Sequence, residues 1–377
     1  MAIITSNTQM DGGGLMRAVM ALSGGMDSTA LLVRLISQGY KVSCLSYDYG
    51  QKHKIEIERA KMNIRYLADK GYSIEHKIAD LSSAMSIFSS ALTSDGIDVP
   101  EGHYEEEQMK STVVPNRNAI FSSILYGYAL SISEEEDVDV VIALGVHSGD
   151  HAIYPDCRPE FYESIGESFA LGNWGSERVS FHLPYIDGDK ETILRDSLIN
   201  CQKMNLDFDT VFANTNTSYN PDENGLSSGR SGADVERILA FHAIGRKDPV
   251  GYVESWEVVL QNALNEQLRY YVMKQNGTER PFTGKYDKHF EKGDYHCSEC
   301  DTLLFTSDSK FDSGCGWPAF SQEHENAKIT QVEDRSHGMI RIEVRCSKCD
   351  SHLGHLFHEA RGPRYCINSV CLDFKGD

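Results

Sequence analysis

Residues 23–28 have the types and spacing of a turn that binds an anion. They read Ser23-Gly24-Gly25-Met26-Asp27-Ser28, between an apolar run of strand length and a helical pattern that begins at Thr29. Such a turn points backbone N–H groups at an anion, and two glycines let the anion approach closely. The serines add hydroxyl donors, Asp27 can help hold a metal, and the absence of a lysine separates the pattern from a Walker loop. We predict an anion-binding loop, with a glycine-rich turn and an aspartate helix cap as the alternative.

Cysteines form the second chemical pattern, because seven of the ten crowd into residues 297–371. In two pairs, Cys297/Cys300 and Cys346/Cys349, the cysteines are three positions apart, so each pair can supply two ligands to a tetrahedral Zn²⁺. Four thiolates close such a site, so we predict one structural zinc, with two unrelated redox pairs as the alternative. Cys315, Cys366 and Cys371 remain for thiol chemistry.

The elements that must position the first loop alternate between strands and helices. A strand is predicted at 41–47, a helix at 52–70 and a further buried strand at 138–145. This order is typical of an α/β fold with a doubly wound, Rossmann-like parallel sheet. Ligands bind such sheets beyond the carboxyl ends of the strands, so we expect residues 48–51 and 145–151 on one rim with the loop.

The length and net charge of the chain limit the number of domains and the classes of binding partner. The 377 residues predict about two domains, and a net charge of −20 argues against general binding to nucleic acid or anionic membranes. We read no secretion signal and no apolar stretch of membrane length, and we expect a cytoplasmic protein. We predict a disordered tail at 1–16, a first domain at 17–250 and a second at 251–377. The break follows Asp248-Pro249-Val250-Gly251, and a helix leads the second domain.

Four further stretches, taken with the loop, resemble the 7-cyano-7-deazaguanine synthases, which are nitrile-forming PP-loop ligases of queuosine-precursor synthesis. The stretches are Asp48–His53, Val114–Asn118, Gly149–Arg158 and Thr217–Asn220. The resemblance implies that ATP adenylylates 7-carboxy-7-deazaguanine and that ammonia displaces AMP to give an amide. A second ATP then activates the amide, and loss of AMP leaves the nitrile. The resemblance also implies a possible homodimer.

The same resemblance implies roles for individual residues. The loop residues would bind ATP, its pyrophosphate and Mg²⁺; they are Ser23, Gly24, Gly25, Met26, Asp27 and Ser28. Arg117 and Asn118 would serve the phosphates or the base. The groups on the substrate side would be Asp150, Tyr154, Asp156 and Arg158.

One departure from this family concerns its structural zinc. The four positions that carry the family's zinc-binding cysteines are here Ser218, Ser228, Ser231 and Asp234. Neutral hydroxyls do not replace thiolates on zinc, so we predict no zinc in the first domain. The alternative for this domain is therefore a degenerate nucleotide-binding scaffold, with only the second domain active.

Motifs of the second part are similar to those of the B-type methionine-R-sulfoxide reductases, which have a small all-β fold. They are Arg280–Tyr286, Phe311–Phe320, Ser351–Phe357 and Arg364–Ser369. The resemblance implies that Cys366 attacks the sulfoxide sulfur of methionine sulfoxide in proteins or peptides. Cys366 then becomes a sulfenic acid, and a His or a bridging water protonates the departing oxygen.

Further roles follow from this second resemblance. His352, His355, Arg364 and Asn368 would hold the oxygen and lower the pKa of Cys366, and Trp317 would pack on the substrate methyl group with Phe357 nearby. Cys315 would resolve the sulfenic acid as a disulfide that a thioredoxin-like reductant resets, and Cys371 is the competing candidate. Glu359 stands where the family usually has an Asp. The whole chain is thus interpreted as a bifunctional enzyme.

Overall fold

The computed structural model describes residues 3–4, 16–51, 55–93, 107–218, 221–222, 224–360 and 362–376. The chain divides into two compact units, Met1–Ala263 and Leu264–Asp377. The division lies inside the helix Trp256–Gln275, whereas the sequence prediction set the boundary near residue 250. In the tail predicted to be disordered, Ile3–Ile4 forms a short strand, and residues 1–2 and 5–15 lie outside the described residues.

A six-stranded parallel sheet forms the centre of the first unit, in the order β1-β6-β5-β2-β3-β4. The strands are β1 (Ile3–Ile4), β2 (Arg17–Ala21), β3 (Lys41–Asp48), β4 (Glu75–Asp80), β5 (Val140–Ala143) and β6 (Val179–His182). Ala18 and Met20 of β2 pack into one hydrophobic cluster and Val19 packs into another, so this strand is buried on both faces. The predicted doubly wound parallel sheet is confirmed.

Helices cover both faces of this sheet. The described α-helices of the chain are α1 (Met26–Ser37), α2 (Ile55–Asp69), α3 (Ser82–Met85), α4 (Arg117–Glu136), α5 (Pro159–Gly172), α6 (Lys190–Lys203), α7 (Phe208–Ala213), α8 (Gly232–Ala243) and α9 (Trp256–Gln275). The chain runs from β2 to β3 on one side of β2 and later returns to β5 on the other side. The loops after β2 and β5 therefore meet at the point where the strand order reverses, which is where such sheets bind ligands.

Two antiparallel sheets make up the second unit, as the predicted all-β fold requires. One has the order β11-β12-β13-β14-β10-β9 and the other β15-β7-β8. The strands are β7 (Gly293–Cys297), β8 (Leu303–Thr306), β9 (Lys310–Phe311), β10 (Ala319–Phe320), β11 (Ile329–Asp334), β12 (Arg341–Cys346), β13 (His352–Glu359), β14 (Gly362–Ile367) and β15 (Leu372–Gly376). One hydrophobic cluster fills the unit, and the end of α9 adds Val272 and Met273 to it. No described helix of the chain has the length and apolar character needed to cross a membrane.

Candidate active sites

The loop between β2 and α1 is a tight turn that leaves the start of the helix open. Gly25 is the N-cap, and no side chain caps the helix, so the alternative of an aspartate cap is wrong. The hydroxyls of Ser23 and Ser28 lie 3.0 Å apart, and the Ser23 hydroxyl accepts a hydrogen bond from the Gly25 N–H. Gly24 has φ +85°, and a β-carbon there would overlap the carbonyl oxygen of Glu56. Only glycine fits this close approach.

A cavity of about 260 Å³ opens in front of this loop. It brings together most of the residues predicted for the ligase site: Ser23, Gly25, Met26, Asp27, Ser28, Arg117, Asn118, Asp150 and Tyr154. Gly24 shapes the loop without lining the cavity.

Asp156 and Arg158 do not line this cavity, although they belong to the predicted substrate side. Asp156 accepts a hydrogen bond from the backbone N–H of Asn118, and the guanidinium of exposed Arg158 donates to the carbonyl of His151. The sequence motif that contains both residues forms short helical turns, so its members face in different directions.

Lys190 is a functional candidate that the sequence analysis missed. Its buried ammonium lies 3.3 Å from Asp27, 2.8 Å from His147 Nε2 and 3.2 Å from Glu236. Burial by itself lowers the pKa of Lys190, but Asp27, Glu236 and Asp150 reverse this effect and raise it above its ordinary value. The sequence could have indicated Lys190 by its position, because it lies in the first turn of the helix that follows the carboxyl end of β6.

Glu56 is a second residue that the sequence analysis missed. Its side chain lines the same cavity from the first turn of α2, together with Tyr49 and Arg117. Burial raises the pKa of Glu56 to about 7, and the positive charge of Arg117 opposes this shift. A carboxyl group in a cavity with such a pKa can accept or donate a hydrogen bond near neutral pH.

The segment that lacks zinc-binding cysteines contains a hydrogen-bond cluster instead. The carboxylate of buried Asp234 accepts from the hydroxyls of Ser231 at 2.8 Å and Ser218 at 3.3 Å. Ser231 is also the N-cap of α8 and accepts from the Asp234 N–H. Burial raises the pKa of Asp234, and the serine hydroxyls oppose this shift. Ser228 lies apart and accepts from the Arg230 N–H.

Four cysteine sulfurs of the second unit form a cluster that could bind a metal ion, and it is the one such cluster found among the described residues. They belong to Cys297, Cys300, Cys346 and Cys349, and all lie within 4.8 Å of one another. The separations are 3.7 Å between Cys297 and Cys349 and 3.5 Å between Cys300 and Cys346. Since four thiolates around one tetrahedral centre suit Zn²⁺, these residues fit a structural zinc.

Cys315 and Cys366 face each other at a sulfur–sulfur distance of 3.7 Å. A hydrogen bond from the Cys366 thiol, assisted by the Ser313 hydroxyl, lowers the pKa of Cys315 to about 5. The same bond, with burial, raises the pKa of Cys366, and Arg364 opposes that rise. The close contact between the two sulfurs therefore favours one thiol and one thiolate in the pair. Cys371 is fully buried, and its thiol contacts the carbonyl oxygen of His352 at 3.4 Å.

His352 and His355 lie on one side of β13, with ring centroids 5.4 Å apart. Side chains three residues apart on a regular strand point to opposite faces. A bulge in the pairing with β12 brings the two histidines to the same side. The adjacent residues Arg345 and Val344 pair with His352 and Gly354, so β13 has one extra residue at this point. A β-carbon at Gly354 would overlap the carbonyl oxygen of Cys366, so β13 and β14 approach closely there.

Glu279 is the third residue that the sequence analysis missed, and it touches two of the predicted ones. Its carbonyl oxygen accepts from the Trp317 indole at 3.1 Å, and its N–H donates to the Asn368 side chain at 3.0 Å. Its buried carboxylate accepts from the N–H groups of Ser369 at 2.5 Å and Val370 at 3.1 Å. Asn368 also donates one N–H to the carbonyl of Leu353, so Glu279 and Leu353 together hold its side chain in place.

Arg364 extends from β14 beside the thiol pair. Its guanidinium lies 4.5 Å from the ring centroid of Phe357 and donates to Glu359 at 2.7 Å. Glu359 therefore makes the ion pair from the position where the family usually has an Asp. Burial lowers the pKa of Arg364, but the hydrogen bond to Glu359, with the nearby Cys366 and Cys315, raises it above its ordinary value.

Comparisons with known proteins agree with this division into two units. A family model described as "Queuosine biosynthesis protein QueC" matches residues 17–245, and one described as "SelR domain" matches residues 265–376. The 7-cyano-7-deazaguanine synthase 1 of Colwellia psychrerythraea is 42% identical over 236 residues, which cover 63% of this chain and 98% of that protein. The synthase of Methanoregula boonei is 43% identical over 237 residues, which cover 63% of this chain and 99% of that protein.

Proposed function

The chain belongs to the QueC family of queuosine biosynthesis proteins and contains a SelR domain, and from this we propose that it is a bifunctional enzyme. The first unit converts 7-carboxy-7-deazaguanine and ammonia into 7-cyano-7-deazaguanine at the expense of ATP. The second unit reduces methionine-R-sulfoxide to methionine through a cysteine sulfenic acid.

The cavity that joins the loop to Arg117 and Lys190 carries the ligase proposal. The substrate carboxylate attacks the α-phosphorus of ATP, and pyrophosphate leaves into the loop at the start of α1. Lys190 supplies the positive charge that a Walker loop takes from its own lysine. Ammonia then attacks the carbonyl carbon, and AMP leaves with the oxygen. A second adenylylation on the amide oxygen, followed by loss of AMP and protons, gives the nitrile.

Asp27 is the residue that would hold Mg²⁺. Its Oδ1 atom is buried and has no hydrogen-bond partner among the described residues, and a carboxylate oxygen suits this hard cation. The metal would neutralise the charge of the leaving pyrophosphate.

The distance of 3.7 Å between Cys366 and Cys315 carries the reductase proposal. The reacting form of Cys366 is its thiolate, and the positive charge of Arg364 beside it stabilises that form. The thiolate attacks the sulfoxide sulfur, the protonated oxygen passes to Cys366 as a sulfenic acid, and methionine departs. Cys315 then attacks the sulfenic sulfur, water leaves, and a thioredoxin-like dithiol reduces the disulfide.

Each activity has its own test in the full-length chain. Pyrophosphate release from ATP should require both 7-carboxy-7-deazaguanine and ammonium, and Lys190→Ala should reduce it strongly. Release no greater than background, from protein whose zinc content and cooperative unfolding show that it is folded, would favour the degenerate scaffold. Cys366→Ser should abolish reduction of R-sulfoxides, and full turnover by this variant would refute the assignment of the nucleophile.

A further inference from the structure

Each histidine beside the thiol pair has a carboxylate partner of its own. His352 Nδ1 lies 2.7 Å from Glu343 Oε1, and the same oxygen lies 2.9 Å from the Arg345 guanidinium. Glu343 and His352 are both buried, on the neighbouring strands β12 and β13. A buried imidazole held in this way has one fixed orientation.

The second histidine repeats this arrangement with the other ring nitrogen. His355 Nε2 lies 2.9 Å from Asp334 Oδ2, which also accepts a hydrogen bond from Arg341 at 2.6 Å. A carboxylate accepts and does not donate, so the nitrogen that faces it carries the proton. His352 therefore has its proton on Nδ1, and His355 has its proton on Nε2.

The two histidines consequently offer different atoms to a ligand. His352 Nε2 is buried and has no hydrogen-bond partner among the described residues. An unsatisfied buried polar atom costs about 1–3 kcal/mol, so this nitrogen gains from a polar ligand. Across the strand pair, His355 lies opposite Cys366, so these two side chains share one face of the sheet.

We propose that Glu343 is a positioning residue that fixes His352 as the Nδ1–H tautomer and thereby presents Nε2 to the sulfoxide oxygen. Asp334 holds His355 in the opposite tautomer, so the two histidines are not equivalent. This inference rests on the proposed reductase function and deepens it. His352 takes up a proton at Nε2, donates it to the oxygen as the S–O bond breaks, and returns to the neutral form.

The charges around His352 explain why Glu343 matters for this step. Burial lowers the pKa of His352, and Glu343 opposes that effect, while His355 and Arg345 add to it. Glu343 is thus the group on the packed strands that favours the protonated ring. Its removal should make the acid form harder to reach at neutral pH.

Two measurements on the full-length chain test the proposal. Side-chain ¹⁵N NMR should show neutral His352 with its proton on Nδ1 and neutral His355 with its proton on Nε2. In kinetics with an R-sulfoxide and excess dithiol, Glu343→Gln should lower kcat about tenfold or more with little change in KM. Its kcat should also begin to fall at a lower pH than that of wild type. Asp334→Asn should lower kcat less than Glu343→Gln does. It should leave the pH at which kcat begins to fall unchanged.

Controls separate this role from a loss of folding. Glu333→Gln removes an exposed charge next to Asp334 and should match the wild type, and every variant should retain one zinc. An Nε2–H tautomer at His352, or equal losses in the Glu343→Gln and Asp334→Asn variants, would overturn the proposal. Predicted tautomers in a wild-type chain that reduces no sulfoxide would refute the reductase function and leave the tautomer assignment standing.

Discussion

A β-carbon at Gly24 would lie 2.0 Å from the carbonyl oxygen of Glu56, so the anion-binding loop packs closely against the first turn of α2. A methyl group at Gly24 would both strain φ and overlap that oxygen. Gly24→Ala should therefore destabilise the first unit by about 1–3 kcal/mol and abolish pyrophosphate release.

Gly71→Ala is the matched control. Gly71 has a similar φ of +92° but no described atom within 4 Å of its β-position. The Gly71→Ala variant should lose only about 1 kcal/mol and keep its activity. Wild-type pyrophosphate release by Gly24→Ala would contradict the need for this close approach.

The partly buried carboxyl of Glu56 should make the stability of the first unit depend on pH. Its pKa is raised from 4.5 to about 7, so the folded state binds more protons than the unfolded state in this range. Stability should therefore be fully present below about pH 4.5 and decline as the pH rises toward 7, by no more than about 1.4 kcal/mol per unit. Urea denaturation of wild type and Glu56→Gln at pH 5 and pH 7 measures this change. A difference between the two proteins that is the same at both pH values would contradict the prediction.

The cluster around Asp234 should stabilise the first unit without a metal. Asp234→Ala leaves the hydroxyls of Ser218 and Ser231 without their buried acceptor, which should cost about 1–3 kcal/mol. Removal of the exposed carboxylate of Asp69 by Asp69→Ala should have little effect. Metal analysis of the wild type and both variants should find one zinc per chain. Two zinc ions in the wild type, or loss of zinc with Asp234, would show that this segment binds metal after all.

Cys315 should resolve the sulfenic acid, because its sulfur lies 3.7 Å from Cys366, whereas Cys371 is fully buried. Cys315→Ser should give about one equivalent of methionine per chain and accumulate a sulfenic acid that dimedone labels, with no steady turnover by thioredoxin. Cys371→Ser should turn over like wild type. The opposite pattern in the two variants would assign the resolving role to Cys371.

Glu279 should order the segment that follows Cys366. Glu279→Gln replaces one acceptor oxygen by an NH₂ group that cannot accept from both Ser369 and Val370, which should cost about 1–3 kcal/mol. Freed backbone around Asn368 should also raise KM for R-sulfoxides and change the fluorescence of Trp317. Glu291→Gln, at a position whose side chain is 79% exposed, is the control. Unchanged KM and fluorescence in the Glu279→Gln variant would show that the carboxylate has no such role.

Local chemistry explains which parts could be predicted from the sequence. The Ser23–Ser28 loop and the four zinc-type cysteines are short patterns whose residue types are dictated by backbone geometry and by ligand chemistry. Alternation of strands and helices similarly indicated the parallel sheet. These features depend on residues that are neighbours in the sequence, or on two cysteine pairs with the same spacing, and so they can be recognised before the fold is known.

The sequence by itself therefore determined the two families, the two fold classes and the four cysteines that cluster in the second unit. Only the tertiary structure brought Lys190 and Glu56 to the cavity and turned Asp156 and Arg158 away from it. A bulge in β13 aligned His352 with His355, which a regular strand would have separated. The pKa shift between Cys315 and Cys366 likewise came from a contact between residues far apart in the chain. Burial and charge act through space, and the distances that set them exist only in the folded chain.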